Sequence, residues 1–186
     1  MRRLRVRHVV FLAGIAALAI GAVLAFGAIR AQRAHTDVRK SISTLGALDL
    51  SVLEQLNQVR LTAGLVELQT STGLTAAATE HSTQMVTDGY FAHDSRDGEL
   101  FWKRLLHYYP LGSANWSVGE NMVWTSGSLT AVSAVALWMA SPDHRANVMN
   151  PKYRQIGISS LARGDAPGTF GGRDVILITA DFGVRN

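Results

Sequence analysis

The stretch Leu137–Asn147 does most to limit what this chain can become. An apolar helix ends there, Ser141-Pro142 breaks its direction, and a second, short helix begins. Proline suits a first helical position, because the N–H it lacks is one the first turn leaves unpaired. Ser141 is expected to cap this helix, with Asp143 beside the positive end of the dipole and the helix running to about Asn150. His144 then falls at the third position. Exposed backbone N–H groups disfavour a cationic imidazole there, so the neutral, ligating form is favoured.

The elements around this break follow from periodicity and punctuation. Ser51 with Glu54 reads as a capping box, followed at helical spacing by Val52, Leu56, Val59 and Ala63 and stopped at Gly64. A second helix is expected from Leu74 to Asp88, with Leu74, Ala78, His81 and Met85 on one face and Gly89 ending it. Asp97-Gly98 opens a short aromatic-rich helix that reaches Leu106 before Pro110. Glu120 to Thr125 reads as extended. Ser128 caps the helix whose apolar face is Leu129, Val132, Val135, Ala136 and Met139. Ile156–Leu161 and Val175–Asp181 read as strands, and the Gly-rich loop 163–174 between them favours an antiparallel pair. The order defines an α+β class.

The formal net charge of +4 belongs to one end of the chain. Residues 1–40 hold eight of the 18 Lys and Arg and one acid, so residues 41–186 carry a charge near −3. No basic patch for nucleic acid remains. Arg2, Arg3, Arg5 and Arg7 precede an uncharged run from Val9 to Ile29, closed by Arg30. At about 1.5 Å per residue such a run crosses a hydrocarbon core of about 30 Å, and it is longer than the apolar core of a cleaved signal. The expectation is a signal anchor or signal peptide over 1–29, a juxtamembrane spacer over 30–47, and one domain over 48–186 outside the membrane, secreted if the first segment is cleaved. There is no cysteine, which excludes disulfides, thiolate nucleophiles and cysteine-based zinc sites.

Three residues attract attention as site candidates. His93 follows Gly89-Tyr90-Phe91 on a loop held by aromatics; an exposed loop histidine is the competing reading. Glu120 sits at the start of an otherwise apolar strand, where a buried carboxylate needs a partner; an edge carboxylate facing water is the alternative. His144 is the third. Arg145 and Asn147 read as structural, the first by pairing with an acid and the second by tying backbone groups. His81 reads as core, and His107 has no polar partner pattern. Asp181-Phe182-Gly183 and His144-Arg145 are kinase-like only in isolation, since the glycine-rich loop and strand lysine are missing.

The order of short motifs adds a resemblance. Leu56-Asn57-x-x-Arg60, His81-Ser82, Gly89-Tyr90-Phe91-Ala92-His93, Val118-Gly119-Glu120-Asn121, Trp138-Met139-x-Ser141-Pro142-x-His144-Arg145-x-Asn147 and Ile156-Gly157-Ile158 are similar to bacterial CAP (SCP, PR1-like) domains over about residues 50–183. The resemblance implies a three-layer α-β-α sandwich with a central cleft lined by two histidines and two acids that can hold a divalent metal, often zinc. His93, Glu120 and His144 match three of these. Ser141 stands where the fourth, a Glu, is found in eukaryotic members, so weaker metal binding is expected. His93 and His144 are the expected metal ligands. Glu120 is a third ligand, an acceptor that orients an imidazole, or a base.

Three functions compete on this reading. The first is an envelope binding module that takes a lipid, glycan or protein in the cleft. The second is a hydrolase, metal-dependent or of Ser/His/Glu type, with His93 or His144 as base. Its nucleophile would be a metal-bound water or Ser141, whose helix-capping role is the stronger reading. The third is a wall scaffold with a vestigial site.

Overall fold

The computed structural model describes residues 29, 30, 32, 45–113 and 115–185. The expected anchor lies outside these but for Ile29, as does most of the spacer. Among the described residues no helix is long and apolar enough to cross a membrane. The chain divides at Ser41–Ile42, and the second unit holds every element named below.

Helix α1 covers 45–62. It extends well before Ser51, so the Ser51–Glu54 pair lies within the helix and caps nothing; the apolar stripe Leu48, Val52, Leu56 carries the helix back beyond it. Strand β1 (Gln69–Thr70) precedes helix α2 (Thr72–Asp88), capped by Ser71. Helix α3 is Phe101–Tyr108. It starts three residues after Gly98, and Asp94 Oδ1, not Asp97, accepts its first amide at 3.0 Å. Strand β2 (Trp116–Thr125) begins earlier than expected, because its pairing continues past Glu120 to Trp116. Helix α4 (Ala131–Ala140) is capped by Thr130 in a reciprocal box with Ser133, which displaces Ser128 from that role. Helix α5 (Pro142–Val148) is followed by β3 (Gln155–Ala166), a 3₁₀ turn (Gly168–Phe170) and β4 (Arg173–Arg185).

The sheet order is β1-β3-β4-β2, with β3–β4 and β2–β4 antiparallel and β1 parallel to β3. The expected β3–β4 pair is present, each strand longer than its apolar run. Period-two alternation sends successive side chains of each strand to different layers. Ile156, Ile158, Ile178, Ala180 and Phe182 pack with Val52, Leu56, Val135 and Trp138. On the opposite face Leu177 and Met122 meet Met85 of α2, and Leu74 and Ala77 meet Leu105 of α3. Helices thus cover both faces of a four-stranded sheet.

The α4–α5 break is held against the outer edge of β2. Trp138 Nε1 donates to Met122 O at 3.1 Å, and Asn147 Nδ2 donates to Glu120 O at 3.1 Å. These bonds satisfy carbonyls that an edge strand would otherwise present to another chain. Gly119 makes the approach possible, because a Cβ there would lie 2.5 Å from Asn147 Oδ1. Arg60, fully buried, ties α1 to the end of α5 by donating to Val148 O at 2.7 Å and to Tyr153 O at 3.2 Å.

Candidate functional site

Gly89 ends α2 in the left-handed region (φ 73°), and its N–H donates to Met85 O at 2.9 Å. Its carbonyl accepts from Thr169 N–H at 2.9 Å. Tyr90 and Phe91 then pack against the cluster of Met85, Met122 and Phe170. The loop is therefore fixed at both its start and its middle, and delivers His93 to the edge of β2.

His93 Nδ1 donates to Glu120 Oε1 at 2.7 Å. Arg104 of α3 donates to Glu120 Oε2 at 2.5 Å and, through the same guanidinium, to His93 O at 2.9 Å. The Glu120 and Arg104 side chains are 1% and 3% exposed, while that of His93 is 47% exposed. Glu120 is thus a buried carboxylate with both oxygens occupied, and His93 turns its remaining nitrogen away from that bond. The Glu120 hydrogen bond raises the His93 pKa, against the lowering effect of burial. His81 lies behind the pair, 3.9 Å from Glu120 Oε2, with Nε2 donating to Ala92 O at 2.9 Å. Burial pushes its pKa down to about 4, so the ring is neutral.

His144 is half-buried at the third position of α5. Burial and then the positive charge of His93 lower its pKa, in the direction expected from its helical position. Asn121 Nδ2 donates to its carbonyl at 2.9 Å and fixes its backbone. Among the described residues no hydrogen bond joins the His144 ring to Glu120 or to Ser141. The structure therefore joins His93 to Glu120 directly and brings His144 only within electrostatic reach of His93. Ser141 occupies the cap position of α5, but its side chain makes no capping bond. Arg145 is exposed and forms no ion pair among the described residues, so the expected acid partner is not there. Asn147 ties Glu120 O and Asn121 Oδ1, the role expected of it. His107 does have a polar partner: Glu99 Oε1 at 3.0 Å.

Arg104 and Asp181 were not among the candidates. Each carries a legible signal: a charge on the buried face of a short amphipathic helix, and an acid inside a strand rich in Ile, Val and Leu. Asp181 is fully buried opposite Glu120, and among the described residues neither of its oxygens has a well-formed hydrogen bond.

A metal needs more than this cleft supplies. No group of three or more His, Cys, Asp or Glu among the described residues is arranged to hold an ion. Glu120 is committed to His93 and Arg104, which leaves one free nitrogen on His93 and the ring of His144. Zinc centres ordinarily take three or four protein ligands. The donor set does not fit such a centre.

A sheet between two helical layers, with a buried carboxylate presenting an exposed imidazole at one sheet edge, defines a sandwich domain with a polar site at that edge. The chain belongs to the CAP family: residues 53–170 match the model of the cysteine-rich secretory protein family. It is 30% identical over 122 residues to the uncharacterized protein YkwD of Bacillus subtilis, covering 66% of this chain and 46% of that protein. An extracellular protein containing an SCP domain from Bacillus anthracis superposes with a TM-score of 0.62 at 22% identity, over 80% of this chain and 43% of that one. An outer surface protein of Borrelia burgdorferi gives a TM-score of 0.58 at 19% identity, over 72% of this chain and 90% of that one. The chain thus spans less than half the length of the two Bacillus proteins, and likeness at these identities speaks for the fold alone.

Proposed function

We propose that this chain is an extracytoplasmic binding module of the bacterial cell envelope, anchored by residues 9–29, whose cleft takes a polar group of a lipid, glycan or protein on His93. The observation that carries the reading is the Arg104–Glu120–His93 chain of hydrogen bonds. A buried carboxylate behind a half-exposed imidazole favours the ring that donates, so the free nitrogen serves an acceptor on the ligand. The export half rests on the arginine-flanked apolar run and on relatives described as extracellular or outer-surface proteins.

A second reading has one observation of its own. The environments of His93 and His144 push their pKa values in opposite directions, the arrangement that suits an acid and a base. In a hydrolase His93 would be the acid and His144 the base. Ser141 makes no bond to His144 and so is not an activated nucleophile in this arrangement.

The experiment is a screen of the full chain and its His93→Ala variant against anionic vesicles, peptidoglycan fragments and a peptide library, read for both binding and turnover. The binding reading expects retention that His93→Ala abolishes while the variant stays folded at the assay temperature, its melting temperature lowered only by the loss of one hydrogen bond to Glu120. Turnover lost with His144→Ala favours the hydrolase. Retention indifferent to both histidines sinks the cleft as the site.

A further inference from the structure

Helix α4 is apolar on every side. Ala131, Ala134, Val135 and Trp138 form its buried face. On the opposite face Val132 is 63% exposed and Leu137 54%, with Ala136 and Ala140 exposed beside them. Ser133, its one hydroxyl, turns back to Thr130 in the cap. A helix without a polar face is ordinarily covered on both sides. No Asp, Glu, Lys or Arg stands between Glu120 and Asp143 to make this one a water-facing surface.

The charge that follows points to what lies against that face. From Asp143 to Gln155 three cations, Arg145, Lys152 and Arg154, stand against one acid, Asp143, a net +2 in a body whose charge is near −3. All three cations are exposed, and none forms an ion pair among the described residues. They belong to the same layer as α4, since Val148 and Tyr153 pack in one cluster with Val135 and Trp138. Exposed aliphatic side chains followed by unpaired cations suit the headgroup region of an anionic bilayer, carbon inserted and cations on phosphates. A second copy of the chain is a poorer occupant. Helix α4 has ten residues. At about 15 Å long and about 10 Å across, its face offers about 150 Å², where a stable dimer takes about 800 Å² from each partner.

We propose that α4 and the turn between α5 and β3 make a peripheral contact with an anionic lipid surface, with Val132 and Leu137 entering the acyl boundary and Arg145, Lys152 and Arg154 pairing with phosphates. Only the leaflet concerned, the outer one, rests on the anchoring proposed above.

The test uses the full chain, which has no native cysteine. It carries Leu137→Cys labelled with a polarity-sensitive fluorophore and is reconstituted in vesicles of phosphatidylglycerol and phosphatidylcholine. A blue shift of the label and its quenching by nitroxide-bearing lipid are expected, with neither at Thr83→Cys, exposed on α2. Arg145→Gln/Lys152→Gln is expected to cut the ratio of contacting to free domains about tenfold, and raised salt to act in the same direction. A label that stays in water overturns the proposal. So does a shift that Thr83→Cys shares, that persists undiminished in phosphatidylcholine alone, or that fades as the protein is diluted in the membrane, the sign of a second copy. Alkaline carbonate extraction reads the anchor separately. A chain that is extracted yet shows the shift refutes the anchor and keeps this contact, whereas a chain retained without the shift does the reverse.

Discussion

Glu120 and Asp181 lie directly opposite each other across the β2–β4 ladder, and both side chains are buried. Their situations differ. Glu120 has Arg104 and His93, while Asp181 sits near that negative charge with no well-formed hydrogen bond to either oxygen. Burial first, and the Glu120 charge next, hold the Asp181 carboxyl well above the usual carboxylate range. The raised value means that the folded state keeps a proton the unfolded state releases above about pH 4. Stability is therefore lost as pH rises from there towards the folded value. Asp181→Asn, nearly the same shape and never charged, is expected to gain on the order of 1–3 kcal/mol over wild type at pH 7 and almost nothing at pH 4. Urea denaturation at the two pH values measures the difference; an equal effect at both contradicts a neutral Asp181.

The Glu120 carboxylate sets the charge of the exposed imidazole. Glu120→Gln keeps an acceptor for the His93 N–H but removes the negative charge, so the His93 pKa should fall, with burial and the Arg104 charge left to hold it down. In wild type the raised value adds stability at low pH that is lost as pH rises through the folded pKa, and the variant should lose that slope. Histidine side-chain NMR titration reads the shift. An unmoved titration curve would mean that His93 and Glu120 do not interact in solution.

Arg104 is the cation that makes a buried Glu120 tolerable. Arg104→Met leaves the carboxylate uncompensated and is expected to cost about 3–5 kcal/mol. Arg104→Met combined with Glu120→Gln removes both charges, so its loss should be well below the sum of the two single losses. The double-mutant cycle by thermal or chemical denaturation supplies the coupling energy. Additive losses would show that the pair contributes packing but no electrostatic coupling.

The cleft offers a metal two imidazoles at most, because His93 Nδ1 is already bound to Glu120. Equimolar zinc should leave the melting temperature of the full chain unchanged to within about 1 °C, since stabilisation by a ligand scales with its occupancy of the folded state. A rise of several degrees that His93→Ala abolishes would restore the metal centre implied by the family resemblance.

His93, Glu120 and His144 were legible because each breaks a local pattern: an imidazole after a helix stop, a carboxylate in an apolar strand, a histidine in a first helical turn. The arrangement among them was not. Arg104 meets Glu120 only because α3 packs beside β2, and Asp181 meets it only because β2 pairs with β4 in one register, both long-range relations. The helix starts failed for a different reason. Ser51 and Ser128 are good caps locally, but the apolar stripe through Leu48 and the Thr130–Ser133 box compete and prevail. The two-residue β1 lies below the length at which alternation can be read.

Asp49 extends the pH argument to the opposite layer. It lies in α1 beside Ser160 of β3, and burial lifts its pKa to about 6 despite the lowering influence of Ser160. Among the described residues neither Asp49 Oδ1 nor Ser160 Oγ has a well-formed hydrogen bond, so proximity brings only partial relief. Between the ordinary carboxylate value and about 6 the folded chain holds a proton that the unfolded chain gives up. Its contribution to stability is complete below that window and lost as pH rises through about 6. Asp49→Asn should therefore stabilise the protein at pH 7.5 by about 1 kcal/mol, a figure reduced for the partial exposure of the side chain, and leave it unchanged near pH 3.5. Measured with Asp181→Asn in the same background, the two gains should add, because the groups lie on opposite faces of the sheet and share no partner. A gain for Asp49→Asn that persists undiminished at pH 3.5 would trace it to packing or helix propensity instead of charge.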